Sequence, residues 1–140
     1  MRKVILNSIF AICLLVSVNS CDYYWGDSEG FSSRIEREHF ATPAGYGVLM
    51  VYFEKLCINA SEKVSVYIDD ELIGYISEAA GNKTPAIGTT SNSCITCYLA
   101  TGEHTISYKI GAETEIMTEY PIKIEEDVCI RFVAYILCPQ

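Results

Sequence analysis

The chain has 140 residues, half of them hydrophobic, and carries 18 acidic against 10 basic side chains for a formal charge of −8. That length supports one modest domain, and the acidic balance argues against nucleic acid or an anionic lipid surface as the partner. No phosphate-cradling glycine loop, dinucleotide-binding glycine pattern or Gly-x-Ser-x-Gly elbow is present, so the sequence assigns no catalytic residue, no metal and no cofactor.

Residues 1–20 have the layout of a secretory signal peptide: Arg2 and Lys3 precede an apolar run over residues 5–18 that only Asn7, Ser8 and Ser17 interrupt. The run is shorter than the roughly 20 residues a membrane-spanning helix needs. It closes on Ser20-Cys21, and a Cys at that point resembles the signal of bacterial lipoproteins. The resemblance implies a lipid on Cys21 and a domain held at the bacterial cell envelope, with the outer membrane as the expected site. Plain secretion after cleavage near Ser20 is the alternative. Losing the signal removes Arg2 and Lys3 and no acid, which takes the charge from −8 to −10.

Residues 21–45 show no period and read as an N-terminal tether, with a turn of helix at residues 35–39. Tyr23, Tyr24, Trp25 and Phe31 are many aromatics for a tether, and they suit docking on the domain or on a neighbour. From residue 46 to the end the chain breaks into short strand-like runs separated by turn signals. Residues 47–57 form a continuous apolar and aromatic run, as in a strand buried on both faces. In residues 63–68, Val64, Val66 and Ile68 share one face while Lys63, Ser65 and Tyr67 share the other. Asp69-Asp70 turns the chain into residues 71–76, its hairpin partner.

Residues 77–93 hold few apolar anchors, and seventeen residues without regular structure are long for a compact domain; the stretch reads as a mobile surface loop or as the functional part. Residues 94–99, 103–110, 114–123 (weakened by Pro121) and 128–138 supply the remaining strands. The alternation predicts an all-β fold, a small antiparallel β-sandwich of about seven strands over residues 46–140, stabilised by disulfides.

Residues 66–74, Val-Tyr-Ile-Asp-Asp-Glu-Leu-Ile-Gly, and residues 99–108, Leu-Ala-Thr-Gly-Glu-His-Thr-Ile-Ser-Tyr, resemble the hairpins of the PEGA-like β-sandwich modules found in small lipoproteins of Bacteroides-like bacteria. The likeness spans residues 47–137 and rests on hairpins, not on catalytic groups; the Pro-Glu-Gly-Ala signature is absent. Asp70 stands where that pattern has Gly, which favours an ordinary turn over one needing positive φ. The resemblance implies adhesion, envelope attachment or carbohydrate-associated scaffolding.

Seven cysteines are present, and Cys13 leaves with the signal. A lipidated Cys21 leaves five, one unpaired; a free Cys21 leaves six that all have possible partners. Cys129 and Cys138 fall in one strand and would stand about 30 Å apart in unbroken β structure, beyond the roughly 7 Å limit of a bridge. The resemblance favours a bridge from the Cys after the long loop to the late strand, Cys94–Cys129. Cys57 and Cys138, at the ends of the first and last strands, suit a second, which leaves Cys97 over. The Cys94-Ile-Thr-Cys97 spacing also fits a redox pair or half of a zinc site, but no helix follows to lower a thiol pKa, and a structural role is favoured.

Exposed aromatics are the remaining lead. Tyr67, Tyr75 and Tyr98 fall on outer faces or hairpin edges, and with Trp25 they are candidate contacts to a carbohydrate or an envelope protein. Ten tyrosines in a chain of strands are equally the ordinary consequence of β propensity. The Asp69-Asp70-Glu71 and Glu125-Glu126-Asp127 clusters read as solvated turn tips. The function expected is a non-catalytic, envelope-anchored binding or scaffolding module. A secreted disulfide-rich inhibitor or effector is the alternative, and a carbohydrate-associated enzyme or redox protein the third.

Overall fold

The computed structural model describes residues 23–28, 31–112 and 118–138; the signal segment, Cys21 and the start of the strand expected at residues 114–123 lie outside the described residues. Nine strands are described: β1 (Tyr23–Ser28), β2 (Phe31–His39), β3 (Tyr46–Leu56), β4 (Val64–Ile68), β5 (Glu71–Ile76), β6 (Cys94–Ala100), β7 (Gly102–Ile110), β8 (Thr118–Ile124) and β9 (Val128–Ile136). They form a five-stranded sheet in the order β1-β2-β9-β3-β6 and a four-stranded sheet in the order β5-β4-β7-β8. No helix among the described residues is long and apolar enough to cross a membrane.

The inward face of each strand makes the core. Leu49, Val51 and Phe53 of β3 and Ile130, Phe132, Ala134 and Ile136 of β9 meet Val64, Val66 and Ile68 of β4, Ile106 and Tyr108 of β7, and Tyr120, Ile122 and Ile124 of β8. Each fully buried apolar side chain of this kind contributes roughly 1.5–3 kcal/mol, and the period of two in β4 and β7 puts them all on one side. Gly47 lets the start of β3 pass the end of β8: a Cβ there would lie 2.3 Å from the Glu125 carbonyl oxygen.

β3 is buried on both faces, as its unbroken apolar run predicts. Val48, Met50 and Tyr52 join Cys94, Cys129 and Val133 in a second cluster on the outer face of the large sheet, covered by Phe40, Ala80 and Ile87. The stretch 77–93 is therefore a cover over β3 with its own fixed bonds. The Ala80 amide donates to the Phe53 carbonyl at 2.8 Å, and the Ser77 and Glu78 amides to the Asn92 carbonyl at 2.8 and 3.1 Å. The Thr96 hydroxyl donates to the Thr89 carbonyl at 2.5 Å. Its few apolar residues suffice because β3 supplies the rest of that cluster.

The N-terminal stretch departs from the expected tether and helical turn. β2 pairs with β9 along its whole length, from Phe31↔Ile136 to His39↔Val128, and β1 pairs with β2. These two strands raise the count from seven to nine. The sandwich is also not wholly antiparallel: β3 and β9, the two central strands, run parallel from Val48↔Cys129 to Leu56↔Ile136. A parallel pair needs a long crossover, and β4 to β8, the four-stranded sheet with β6 between its halves, supply it.

Parallel pairing brings the ends of β3 and β9 together, and there the Cys57–Cys138 bridge forms with Cα atoms 5.2 Å apart. The expected Cys94–Cys129 bridge does not form; both thiols are free and buried, and Cys97 is free and half-buried. Cys94 pairs with Tyr52 on one side of β3 and Cys129 with Val48 on the other. Two strand spacings, about 9.6 Å, separate them before any offset along the strand, and a bridge needs about 7 Å or less.

Burial pushes the Cys97 and Cys129 thiols up to about 11 and raises Cys94. Thiolate, the reactive form, is therefore scarce at neutral pH. Alkylation with iodoacetamide followed by peptide mapping is expected to label Cys94, Cys97 and Cys129 only after denaturation. Rapid labelling of the native protein, or recovery of a Cys94–Cys129 linked peptide, would contradict this arrangement.

The β4–β5 turn also differs from expectation. Asp69 and Asp70 both have positive φ, 48° and 67°, the signature of the type I′ turn whose twist matches a two-residue hairpin. Aspartate tolerates this conformation without glycine, and the Asp69 side chain is held from outside the turn. Its Oδ1 accepts the Thr105 amide at 2.8 Å and its Oδ2 lies 2.6 Å from Nδ1 of His104. The imidazole Nε2 faces the Ala100 carbonyl at 2.7 Å. The acidic tip is exposed, as a solvated turn should be, and Asp69 in addition clamps β4 to β7. The Asp127 turn is tied in the same way, by the Thr42 amide donating to its Oδ1 and its own amide donating to the Thr42 hydroxyl, both at 2.9 Å.

Two acceptors around one imidazole favour its doubly protonated form. Burial pulls the His104 pKa down, but the Asp69 carboxylate and the Ala100 carbonyl outweigh it and leave it raised; the bond to His104 holds Asp69 below its usual range. A raised histidine stabilises fully below the unfolded value of about 6.5 and loses that contribution as pH climbs through the folded value. The lowered aspartate contributes above about 3.9 and loses its share in acid. The melting-temperature gap between wild type and His104→Gln is thus expected to be widest at pH 5–6 and to shrink by pH 8. A gap that widens with pH would refute the clamp.

Candidate functional site

The structure brings together two of the four sequence-predicted contact residues. Inward-facing Val64, Val66 and Ile68 oblige Ser65 and Tyr67 to face outward on β4. In β5, Ile76 is buried and Gly74 packs against Ile95, so Tyr75 faces outward too. Tyr75 lies opposite Ser65, and Tyr67 is two residues along the same strand, a diagonal neighbour at about 7–8 Å. A bulge between Val66 and Tyr67 sets Tyr67 opposite Leu72.

Each ring has a lysine over it. Lys109 Nζ is 5.3 Å from the Tyr67 ring centroid and Lys63 Nζ is 5.9 Å from that of Tyr75, within reach of a cation–π attraction of about 0.5–1 kcal/mol at an exposed site. Lys109 is the partner of Ser65 across β7. Tyr75 remains 53% exposed. Beside it runs a shallow groove of about 390 Å³, with Ser61, Glu62, Lys63, Ser65, Tyr75 and the Gly111-Ala112 turn as its walls. Gly111, at φ +57°, is required there: a Cβ would sit 2.9 Å from Glu62 Oε1. Glu62 is fixed in turn, its Oε2 accepting the Asn59 amide at 2.9 Å.

Tyr98 is separated from this pair by the thickness of the sandwich. It lies on the outer face of the five-stranded sheet, 54% exposed, near Tyr46, which is 47% exposed; the β3–β6 register sets Tyr98 beside Val48 and Tyr46 beside Ala100. Trp25 is in β1, and its side chain lies outside the described residues. The lysines were not singled out from the sequence. The signal was present, because Lys63 has the parity of Ser65 and Tyr67 in an alternating strand.

The other charged cluster is self-contained. Arg34 on β2 bonds Glu36 at 2.7 Å and also reaches Glu54 and the Tyr135 hydroxyl, which itself donates to Glu54. The Arg34 guanidinium holds Glu54 below the usual carboxylate range, and burial with the neighbouring Glu54 raises Tyr135. Every charge there is met from within the fold, which marks the cluster as structural. A second groove, of about 410 Å³ beside the disulfide, is walled by Leu56, Ile58, Ile136 and Leu137 and offers few convergent polar groups. Among the described residues no group of three His, Cys, Asp or Glu side chains is placed to hold a metal ion.

No protein-family model, curated protein or solved structure matches this chain.

Proposed function

We propose that this chain is a non-catalytic binding or scaffolding module of the bacterial cell envelope, carried by a lipid on Cys21, with the outer face of the four-stranded sheet as its contact surface. The observation that carries the reading is the placement of Tyr67 and Tyr75 on that face, each beside a lysine, with a groove running beside Tyr75. Rigid aromatics present contact area at low entropic cost, and a sheet held by a packed core keeps them fixed. The anchoring part rests on the Cys at the end of the signal-like segment, in keeping with the resemblance to envelope lipoproteins. The secreted disulfide-rich alternative drew on six paired cysteines and loses that support with Cys94, Cys97 and Cys129 free.

Two measurements test the two parts. In cells fed a labelled fatty acid, Cys21→Ala is expected to lose the label and move to the soluble fraction; unchanged membrane retention would overturn the anchor. For the surface, binding of the purified domain to isolated bacterial envelopes is expected to fall in Tyr67→Ala/Tyr75→Ala with the melting temperature little changed.

A further inference from the structure

We infer that the ligand of this surface is an anionic polysaccharide, its sugar rings lying against Tyr75 and Tyr67 and its acidic groups meeting Lys63 and Lys109. The inference rests on the binding role proposed above and adds the ligand class. Four observations carry it.

First, among the described residues Lys63 and Lys109, like Lys55 and Lys83, have no carboxylate within ion-pair distance, whereas Arg34, Arg37, Lys123 and Arg131 do; what sets Lys63 and Lys109 apart is that both stand on the tyrosine-bearing face. In a chain with 18 acidic residues, two cations on one face with no carboxylate partner among the described residues suit a ligand's negative charge. Second, those cations stand at the two aromatic rings, and a saccharide has both features they need: an apolar ring face to stack and acidic groups at its edge. Third, the ground between the rings is polar, with Ser65 at its centre and Ser61 in the groove. Hydroxyls suit a sugar, whereas a protein interface wants an apolar, desolvated core. Fourth, the groove is shallow, which suits an extended chain lying on the sheet better than an enclosed small molecule.

Two carboxylates set the limits of the site. Glu62 forms a groove wall but is engaged by the Asn59 amide. Glu119 stands in the row of Tyr67, across Ser107, so the acidic groups of the ligand belong at the Tyr75–Ser65–Lys109 row. The protein's net charge of −8 repels polyanions at long range. Salt screens that repulsion beyond about 8 Å, while it suppresses unspecific binding elsewhere on the molecule.

The test is titration calorimetry of the purified protein with polygalacturonate, its fully methyl-esterified form, dextran sulfate, and polyglutamate as a non-sugar polyanion. Polygalacturonate or dextran sulfate is expected to bind, the two arms separating carboxylate from sulfate as the preferred acid. The neutral ester is expected to bind at least roughly tenfold more weakly, the loss of about one charge-assisted hydrogen bond, and polyglutamate to bind at least roughly tenfold more weakly because it has no sugar ring to lie against the tyrosines. Lys63→Gln/Lys109→Gln is expected to erase the difference between acid and ester, and Lys63→Arg/Lys109→Arg to keep it. Equal binding of acid and ester, equal binding of polyglutamate, or no effect of the glutamine pair would overturn the ligand class. If envelope binding depends on Tyr67 and Tyr75 while neither anionic polysaccharide binds, the ligand class falls and the contact surface stands. If envelope binding ignores the tyrosines, the surface itself falls.

Discussion

Phe132→Ala is expected to cost about 3–5 kcal/mol of folding stability, the range for emptying a buried aromatic site. Phe132 is fully buried in the middle of β9, with Ile35 of β2 on one side and Val51 of β3 on the other. Its ring contacts Tyr120 of β8 at a centroid distance of 4.9 Å, and Tyr120 stacks on Tyr108 at 6.3 Å. Tyr108 meets Phe53 edge-on at 5.5 Å. The four rings join β3 and β9 of one sheet to β7 and β8 of the other, and β2, β3 and β9 cannot close over a void without separating from one another. Domains of this size are stable by about 5–15 kcal/mol in total, so the variant should sit close to its unfolding threshold. Tyr98→Ala, at an exposed position, is expected to stay within about 0.5 kcal/mol. Urea unfolding of both variants measures the contrast, and a Phe132→Ala loss below about 1.5 kcal/mol would contradict the packing described.

Removing the Cys57–Cys138 bridge is the second large effect. The two residues are 81 apart in sequence, and the loop-entropy model for a closed loop of that length gives about 4.5 kcal/mol, within an observed range of roughly 2–5. The bridge joins the same ends of the two parallel central strands, where the Cys57 amide also donates to the Ile136 carbonyl at 2.9 Å. The double variant Cys57→Ser/Cys138→Ser avoids a stray thiol. It is expected to lower the denaturation midpoint and to steepen the slope, because the freed unfolded chain expands and exposes more surface. A loss below about 1 kcal/mol would mean that the unfolded chain keeps these ends together without the bond.

The strands that alternate cleanly were legible because one face of each meets the core and the other meets water: Val64, Val66 and Ile68 could be assigned inward from parity alone. β2 was not legible, because its outer face is paired charge. Arg34, Glu36 and Glu38 read as solvated until Glu54, Tyr135 and Arg131 are seen to meet them, and among its described side chains Ile35 is the one strongly apolar residue facing inward. The parallel pairing of β3 with β9 has no local signature, since each run is apolar throughout. The failure of Cys94–Cys129 follows from that same missing information, for only the strand order shows β3 lying between them. The Asp69-Asp70 turn was misjudged because the hairpin's demand for positive φ is met by a clamp from β7, distant in sequence, in place of glycine. At the candidate site the aromatic half was visible from residue type and parity, whereas the separation of Tyr98 from Tyr67 and Tyr75 depends on which sheet each strand joins.

The most direct test of the central claim, that the outer face of the four-stranded sheet is the contact surface, is binding to isolated bacterial envelopes compared between Tyr67→Ala/Tyr75→Ala and Tyr46→Ala/Tyr98→Ala. Both pairs remove outward-facing tyrosines, of which Tyr67 is half-buried and Tyr46, Tyr75 and Tyr98 are exposed, from opposite faces of one sandwich. The account predicts that the first pair loses at least roughly tenfold in affinity, as truncation of a contact worth about 1.4 kcal/mol would, and that the second binds like wild type. Loss confined to the Tyr46/Tyr98 pair, or equal binding by both, would contradict it.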